Sequence, residues 1–593
     1  MRKSQDIQRS GADAAAAMAA QMAEMRAKMD VMARDNEALS RELDALSRES
    51  SATIANLTAQ LSDQQAQIAR LLEQIRLANC RFFGSKSEKV VPGQLSLFND
   101  MEAAADPSVA EPSLEEVADP RPRRRGGKRR IDLSRFETVV IDHELPEGER
   151  ACPACGSEME DMGYDVTRRI RLVPARFVVE EHRVHKYRCA PCSDANAAGG
   201  EEPAVIVRAH APANCIPGSV ATPSLISHVI NAKYVSAVPL YRLEADFRQL
   251  GLDVSRQNMA NWVLNVHARW LSRVHERIRA ELLSHDLIHA DETEVQVLKE
   301  PGRDPKSVSR CWLFCSAGCD TPAYVYEYRD TRSKAVAEDF LRGWSGTLVT
   351  DGYEAYYGLD NGGEIKNMAC MVHIRRRFCD IVKSVGEAKA AASGSVALEA
   401  KRRIDAVFHA DSAFDGMTAD ERRAGRDAVL RPMMEQFLSW VRAQIPKAAP
   451  GLELHKALLY AEKYWPYAMN ACDDGRLALS NNVAERGIKP FVIGRKNWLF
   501  SDTPRGARAS AAIYSVVTTA RMNGVAPRAY VEWLLAELPN AGELTDATVD
   551  RFMPWSPEVP EHCKMTPEAA GRIADIVEEP IVDIDPDTIP KDR

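Results

Sequence analysis

The chain has 593 residues, 45% of them apolar and 27% charged, with a formal net charge of −8. At about 150 residues per domain this length holds roughly three to five structural units, and the composition excludes a chain disordered throughout. The pooled charge excludes no partner: residues 541–593 carry 13 acidic and 5 basic side chains, which leaves 72 of each sign in the rest, and local clusters govern association more than the total does. No run approaches 18 apolar residues, and the polar start MRKSQDIQRS lacks the core of a signal peptide. A cytoplasmic protein without a membrane partner is expected. The 13 cysteines are too dilute for a disulfide scaffold and fit a reducing compartment with some thiolates on metal.

Residues 14–80 contain no Pro, and apolar side chains recur at alternating steps of three and four. Met22, Met29 and Leu43 fall on one heptad position, and Met25, Met32, Leu39 and Leu46 on the other. After a slip of four residues, a stutter, the pattern resumes with Ile54, Leu61, Ile68 and Ile75, paired with Leu57 and Leu71. Asn36 on a core position would fix register. The stretch reads as a coiled coil giving a homodimer or higher oligomer; a single amphipathic helix packed on the body is the alternative. Residues 81–135 read as a linker, with an acidic run and then RPRRRGGKRR (Arg121 to Arg130), a phosphate contact or a solvated tether.

Within 136–210, Cys152 and Cys155 form one CxxC pair and Cys189 and Cys192 a second. Two such turns complete a tetrahedron around one structural zinc ion, as in a zinc ribbon. Cys311, Cys315 and Cys319 read as buried or incidental thiols on a strand and turn. Residues 215–280 are helical in pattern. One helix is expected to end at Gly251 and the next to start after Ser255, a helix-turn-helix signature that presents Arg256, Gln257 and Asn258 to DNA bases. A plain helical bundle fits equally well.

Three acids stand out by context. Asp291 sits in the strand-like HADETEVQV, Asp351 ends the apolar run SGTLVT, and Glu485 lies on a helix in NNVAERGIKP. An RNase H-like core puts acids at such places, where they converge on two magnesium ions that activate water or a 3′-hydroxyl. Residues 481–530 hold eight basic against two acidic side chains, with Trp498 and Phe500 interleaved. Arg486, Lys489, Arg495 and Lys496 are therefore candidates for DNA phosphates, or a basic face over core aromatics.

On these residues the chain resembles the transposases of the insertion sequence 66 family. The motifs that carry the resemblance are RFFGSKSEK, CPACG to YRCAPC, KYVSAVPLYR, HADETEVQV, VTDGYEAYY, CMVHIRRRF and NNVAERGIKPFVIGRKNWLFSDTPRGARASAAIYS. The resemblance implies a DDE transposase that cleaves and joins DNA at the ends of a transposable element, with Asp291, Asp351 and Glu485 as the triad. The 134 residues between Asp351 and Glu485 imply a helical insertion over 384–470, splitting an RNase H-like core into 281–383 and 471–540. Cys370 and His373 match a Cys-x-x-His element found in several DDE groups, with His373 on scissile DNA or supporting the fold. Where relatives commonly carry an acid before the Asn-Asn pair, this chain has Ser480.

The whole is thus expected to be a multidomain α/β protein: coiled coil, four-cysteine zinc ribbon, helical DNA-binding segment, interrupted RNase H-like core, and a flexible acidic tail over 541–593. Its partners would be terminal repeats, target DNA and accessory proteins of the same element, and its location the nucleoid. The alternatives are a non-catalytic zinc-containing DNA-binding protein and another RNase H-like nuclease.

Overall fold

The computed structural model describes residues 2–82, 176–188, 206–316, 318–566 and 569–570. Helix α1 (Arg2–Phe82) is continuous and about 120 Å long at 1.5 Å per residue. The heptad residues from Met22 to Ile68 are 57–70% exposed on it, so the apolar stripe is left uncovered by the described residues. Two short strands, β1 (Lys186–Arg188) and β2 (Ile206–Arg208), pair antiparallel. The four CxxC cysteines and the basic run lie outside the described residues.

Helix α2 (Pro223–Ile230) is capped by Thr222, and α3 (Leu240–Gln249) follows. The chain turns at Gly251, whose φ of +86° favours glycine, and α4 (Arg256–Val266) begins after Ser255, whose hydroxyl accepts from the Asn258 N–H at 3.2 Å. With α5 (Ser272–Ser284) these helices bury Ile226, Phe247, Met259, Val266 and Ile278 in one core.

The central sheet follows. Strands β3 (Leu287–Val297), β4 (Val308–Cys315) and β5 (Tyr324–Arg329) form an antiparallel meander. After α6 (Lys334–Phe340), β6 (Gly346–Thr350) and β7 (Ile365–Ala369) run parallel to β3. The order across the sheet is β5-β4-β3-β6-β7, and a short β8 (Phe500–Ser501) adds to the far end of β3. Residues 311–315 of β4 are all buried, which requires cover on both faces. Phe314 stacks on Phe340 of α6 at 3.8 Å between centroids. Cys311 and Cys315 are buried here, whereas Cys319 in the following turn is exposed.

From α7 (Met371–Val385) the chain stays largely helical through α8 (Val396–Ser412), α9 (Arg431–Gln444) and α10 (Glu453–Ala468). These helices form a second core with Leu287, Val349 and Met368 of the sheet. A wholly buried Arg426 ties them together. Its guanidinium donates to both oxygens of Asp411, at 2.7 and 2.9 Å, and to the carbonyls of Ala471 and Leu477, at 3.0 and 2.6 Å.

Helix α11 (Asn482–Trp498) then returns to the sheet. A Cβ on Gly487 would lie 2.8 Å from Leu313, so only glycine lets the helix approach β4 this closely. Helix α12 (Pro504–Met522) closes the edge strand: Ser515 and Thr519, one turn apart, accept the N–H groups of Tyr326 and Tyr324 at 2.8 and 3.0 Å, so β5 offers no free edge there. Helix α13 (Pro527–Glu537) packs beside α12 and α2.

The expectation of a flexible tail from 541 onwards fails over its first half. Val549, Phe552, Met553, Val559 and Cys563 are buried in the first core, and the Tyr530 hydroxyl donates to the Phe552 carbonyl at 2.7 Å. Prolines and acids masked a spaced set of apolar anchors; residues 571–593 lie outside the described residues. Among the described residues no helix is long and apolar enough to cross a membrane.

The buried Arg426–Asp411 pair yields a stability prediction. Asp411→Ala leaves a buried guanidinium without its counter-ion and should cost about 3–5 kcal/mol, read as a lower denaturant midpoint. An unchanged midpoint would show that the pair does not hold the helical region together.

Candidate active site

Strand β3 pairs with β6 only from Leu287 to His289 and with β8 only at Gln296 and Val297. Between these stretches that side of β3 has no strand beside it, and α11 fills the gap. At its start, the wholly buried Asn481 donates its amide to the Ala290 carbonyl at 2.9 Å, and its Oδ1 lies 3.1 Å from Nδ1 of His289. The Asn481 N–H donates to Cys370 Sγ at 3.2 Å. Near its end, Arg495 donates to Thr293 Oγ1 at 3.3 Å and to the Glu294 carbonyl. The helix is strapped along the strand at both ends, and Glu485 sits in its first turn.

This geometry brings the three acids together. Asp291, opposite Leu313 of β4, lies where the other side of β3 has no strand. Asp291 and Asp351 each come two residues after the last paired position of β3 and β6, His289 and Val349. Burial, and then the charges of Glu292, Asp351 and Glu485, push the Asp291 carboxyl well above the usual carboxylate range. Asp291 Oδ1 accepts the Glu292 N–H at 2.8 Å, and Asp351 Oδ1 accepts the Tyr353 N–H at 2.9 Å. Gly352 follows at φ +88°, where a Cβ would stand 2.5 Å from the Tyr460 hydroxyl; that hydroxyl donates to the Asp351 carbonyl at 3.1 Å. After Asp351 the chain makes a single 3-10 turn, Glu354–Tyr356.

His373, near the start of α7, holds Nδ1 3.5 Å from Glu485 Oε1. Burial lowers its pKa, with Glu485 acting in the opposite sense. Cys370, His373 and Glu485 offer ligand atoms within 4.8 Å of one another, but Cys370 already accepts from Asn481, and burial pushes its thiol up to about 12. It acts as a structural acceptor. A cavity of about 390 Å³ opens beside Asp351 and His373, walled by Arg332, Arg376, Arg377 and Tyr460 among others. Arg332 lies 3.7 Å over the Tyr353 ring and donates to Glu292 at 2.6 Å, so the charge of Glu292 is offset within the chain.

No such cation faces Asp291 among the described residues, and Glu485 Oε1 is buried without a hydrogen bond. Hard oxygen ligands carrying uncompensated negative charge fit a divalent ion such as magnesium.

The other sequence candidates are spread more widely. Arg256, Gln257 and Asn258 are exposed at the start of α4. Lys489 and Lys496 are exposed on α11, Arg486 is half-buried, and Arg495 is turned onto β3. Sequence reasoning passed over Asn481, Arg332, Arg376, Arg377 and Tyr460. The Asn-Asn pair and the run of three arginines in HIRRRF were local signals for some of them, whereas nothing near Tyr460 points to an acid 109 residues away.

Two measurements follow from this geometry. Asn481→Ala strands several buried partners and should cost about 1–3 kcal/mol, seen as a lower unfolding temperature. In metal-free buffer, Asp291→Asn should unfold at a higher temperature than the parent at pH 7–8. The raised native pKa means that stability present below pH 3.8 is lost as the pH rises, so the gap must close as the pH falls towards 4. A gap that widened there would contradict the assignment.

Comparison with known proteins bears on what such a site does. The model described as "Transposase IS66 family" matches residues 218–509. "Zinc-finger binding domain of transposase IS66" matches 149–193, and "Transposase C of IS166 homeodomain" matches 70–137. Three proteins of Sinorhizobium fredii (strain NBRC 101917 / NGR234), each described as uncharacterized, are similar along most of their length. Protein y4jD is 27% identical over 435 residues, 72% of this chain and 80% of its own. Protein y4hP is 27% identical over 502 residues, with 82% and 84% covered, and y4qI 29% over 510, with 82% and 89%. No solved structure matches the chain. With its zipper, zinc-finger and central segments matched in sequence order, the chain belongs to the IS66 transposase family.

Proposed function

We propose that the protein is a magnesium-dependent DDE transposase, in which Asp291, Asp351 and Glu485 form the catalytic site of an RNase H-like core. Family membership already implies an enzyme that cleaves and transfers DNA. The observation that carries the finer reading is the meeting of three acids from three separate elements, with Asp291 raised by burial and by the other two. The sheet supports it: three antiparallel strands and two more parallel to the first, in the order β5-β4-β3-β6-β7, with Asp291 on β3 and Asp351 directly after its neighbour β6.

Asp291, Asp351 and Glu485 would hold two magnesium ions. When bound, these supply an activated water or 3′-hydroxyl and neutralise charge on the leaving oxygen of a phosphodiester. His373 orients the Glu485 carboxylate from 3.5 Å. Arg376 and Arg377 wall the cavity beside Asp351 and would receive the phosphates of the strand being cut. Arg486, Lys489 and Lys496 extend that basic surface along α11. Arg495 serves as a clamp that keeps Glu485 over β3, a role set by its bonds to Thr293 and Glu294.

The outlying segments would deliver the DNA. Cys152, Cys155, Cys189 and Cys192 fall inside the matched zinc-finger stretch and would hold one structural zinc ion. Arg256, Gln257 and Asn258, at the start of a capped helix, would read the terminal repeat. The exposed stripe of α1 supports a coiled coil that joins two or more subunits so that two element ends meet. Target DNA and accessory proteins of the element complete the partners, and the nucleoid is the place of action. A non-catalytic DNA-binding role is disfavoured, because a binder gains nothing from acids crowded against one another beneath the surface.

The test uses the full chain, a duplex carrying the element's end, and magnesium. Asp291→Asn should reduce nicking to background while end binding persists, and magnesium should raise the unfolding temperature of the parent but not of the variant. Undiminished nicking by the variant sinks the assignment. Cys152→Ser should release zinc and weaken end binding.

A further inference from the structure

The turn from α11 to α12 contains an arrangement that the cleavage chemistry does not use. Leu499 has φ +67°, a conformation suited to glycine, and its side chain is 64% exposed, with Phe500 beside it 44% exposed. A large apolar side chain held in water on left-handed backbone adds nothing to either core. Yet the turn is firmly held. Phe500 and Ser501 pair with Gln296 and Val297 of β3, and the N–H groups of Leu298 and Lys299 donate to the carbonyls of Ser501 and Asp502 at 3.0 and 2.9 Å. The strand carrying Asp291 therefore also carries this apolar projection, roughly 17 Å further along at about 3.3 Å per residue.

Cations flank it on both sides. Lys489 and Lys496 lie with Ile493 on the exposed stripe of α11, and Arg505 and Arg508 stand exposed on the first turns of α12. None of the four has an acidic partner among the described residues, and the nearby Asp502 is engaged by Lys299 at 2.8 Å. A rigid apolar tip between unpaired cations suits a polyanion with a stacked apolar interior, whereas an interface with a second protein would bring acids to meet the lysines. Apolar side chains on such surfaces enter duplexes by unstacking a base step.

We propose that Leu499 and Phe500 form a wedge that opens a base step of the bound duplex about five base pairs from the scissile phosphate, while Lys489, Lys496, Arg505 and Arg508 grip the backbone on either side. The inference rests on the reading that DNA is cut at Asp291, since that sets the distance. It makes the turn the element that bends or melts the DNA next to the cut and fixes its register against the acids.

The experiment binds the full chain to duplexes of the element's end in which 2-aminopurine replaces successive bases on both sides of the nicking position. One step should brighten on binding. Leu499→Gly combined with Phe500→Ala removes both side chains while giving the left-handed position the residue it favours, so the unfolding temperature should hold and the brightening should vanish. Lys489→Ala with Lys496→Ala should lower the slope of log affinity against log salt by roughly 1–2. Brightening that survives in the Leu499→Gly, Phe500→Ala chain overturns the wedge, as does a wild-type complex that brightens nowhere even while it nicks. A change in the variant's oligomeric mass without DNA also overturns it and assigns the patch to a second copy of the chain. Brightening without nicking leaves the wedge standing and removes only the proposed reaction.

Discussion

The arrangement depends on one buried side chain amide. Asn481 bonds at once to the strand that carries Asp291, through Ala290, and to His289 within it, while its own N–H reaches Cys370 at the head of α7. It also begins the helix that carries Glu485. Three elements drawn from distant parts of the chain are thus held at one point by a neutral group. A charged side chain could not do this as cheaply, since an unpaired charge in that interior would resist burial. Burial likewise keeps His289 neutral, with its pKa pushed down to about 4.

Around that point the electrostatics run against ordinary protein design. Elsewhere the chain pairs its buried acids: Asp411 with Arg426, Asp405 with Arg375, Glu292 with Arg332. Among the described residues Asp291 has no cation: it accepts the Glu292 N–H and otherwise feels further carboxylates. Local repulsion of this kind costs stability and persists only where the surrounding packing enforces it. The two cores enforce it from opposite sides, one behind β4 and α11, the other behind β6 and α7. The helical region from α8 to α10 fits this account, because it supplies Tyr460, whose hydroxyl holds the Asp351 carbonyl from across the cavity.

The clamp at the other end of α11 gives a basic residue a role different from the one its composition announced. Arg495 lies in a cluster that reads as a phosphate-binding surface, but its guanidinium satisfies carbonyl and hydroxyl groups on the unpaired side of β3. Lys489 and Lys496, on the same helix, remain exposed. Helical periodicity accounts for the division, since residues seven apart share a face and Arg495 is turned about 100° from Lys496.

Much of this protein was legible in its residues alone. The heptad stripe of α1, the cap at Ser255, the strand settings of Asp291 and Asp351 and the helix around Glu485 all follow from local pattern, which needs only neighbours in the chain. The motifs carried the family, because short runs such as HADETEVQV and NNVAERGIKP keep their chemistry close together. What local pattern could not supply was convergence. The approach of Asp351 and Glu485 to Asp291, the gap in β3 that α11 fills, the partnership of Tyr460 with Asp351 and the burial of Phe552 and Val559 in what looked like a loose tail are decided by packing between segments far apart in the chain. Backbone hydrogen bonds and apolar area can be satisfied locally in many ways. Only the assembled sheet and its two cores choose among them, and that choice decides which acids meet.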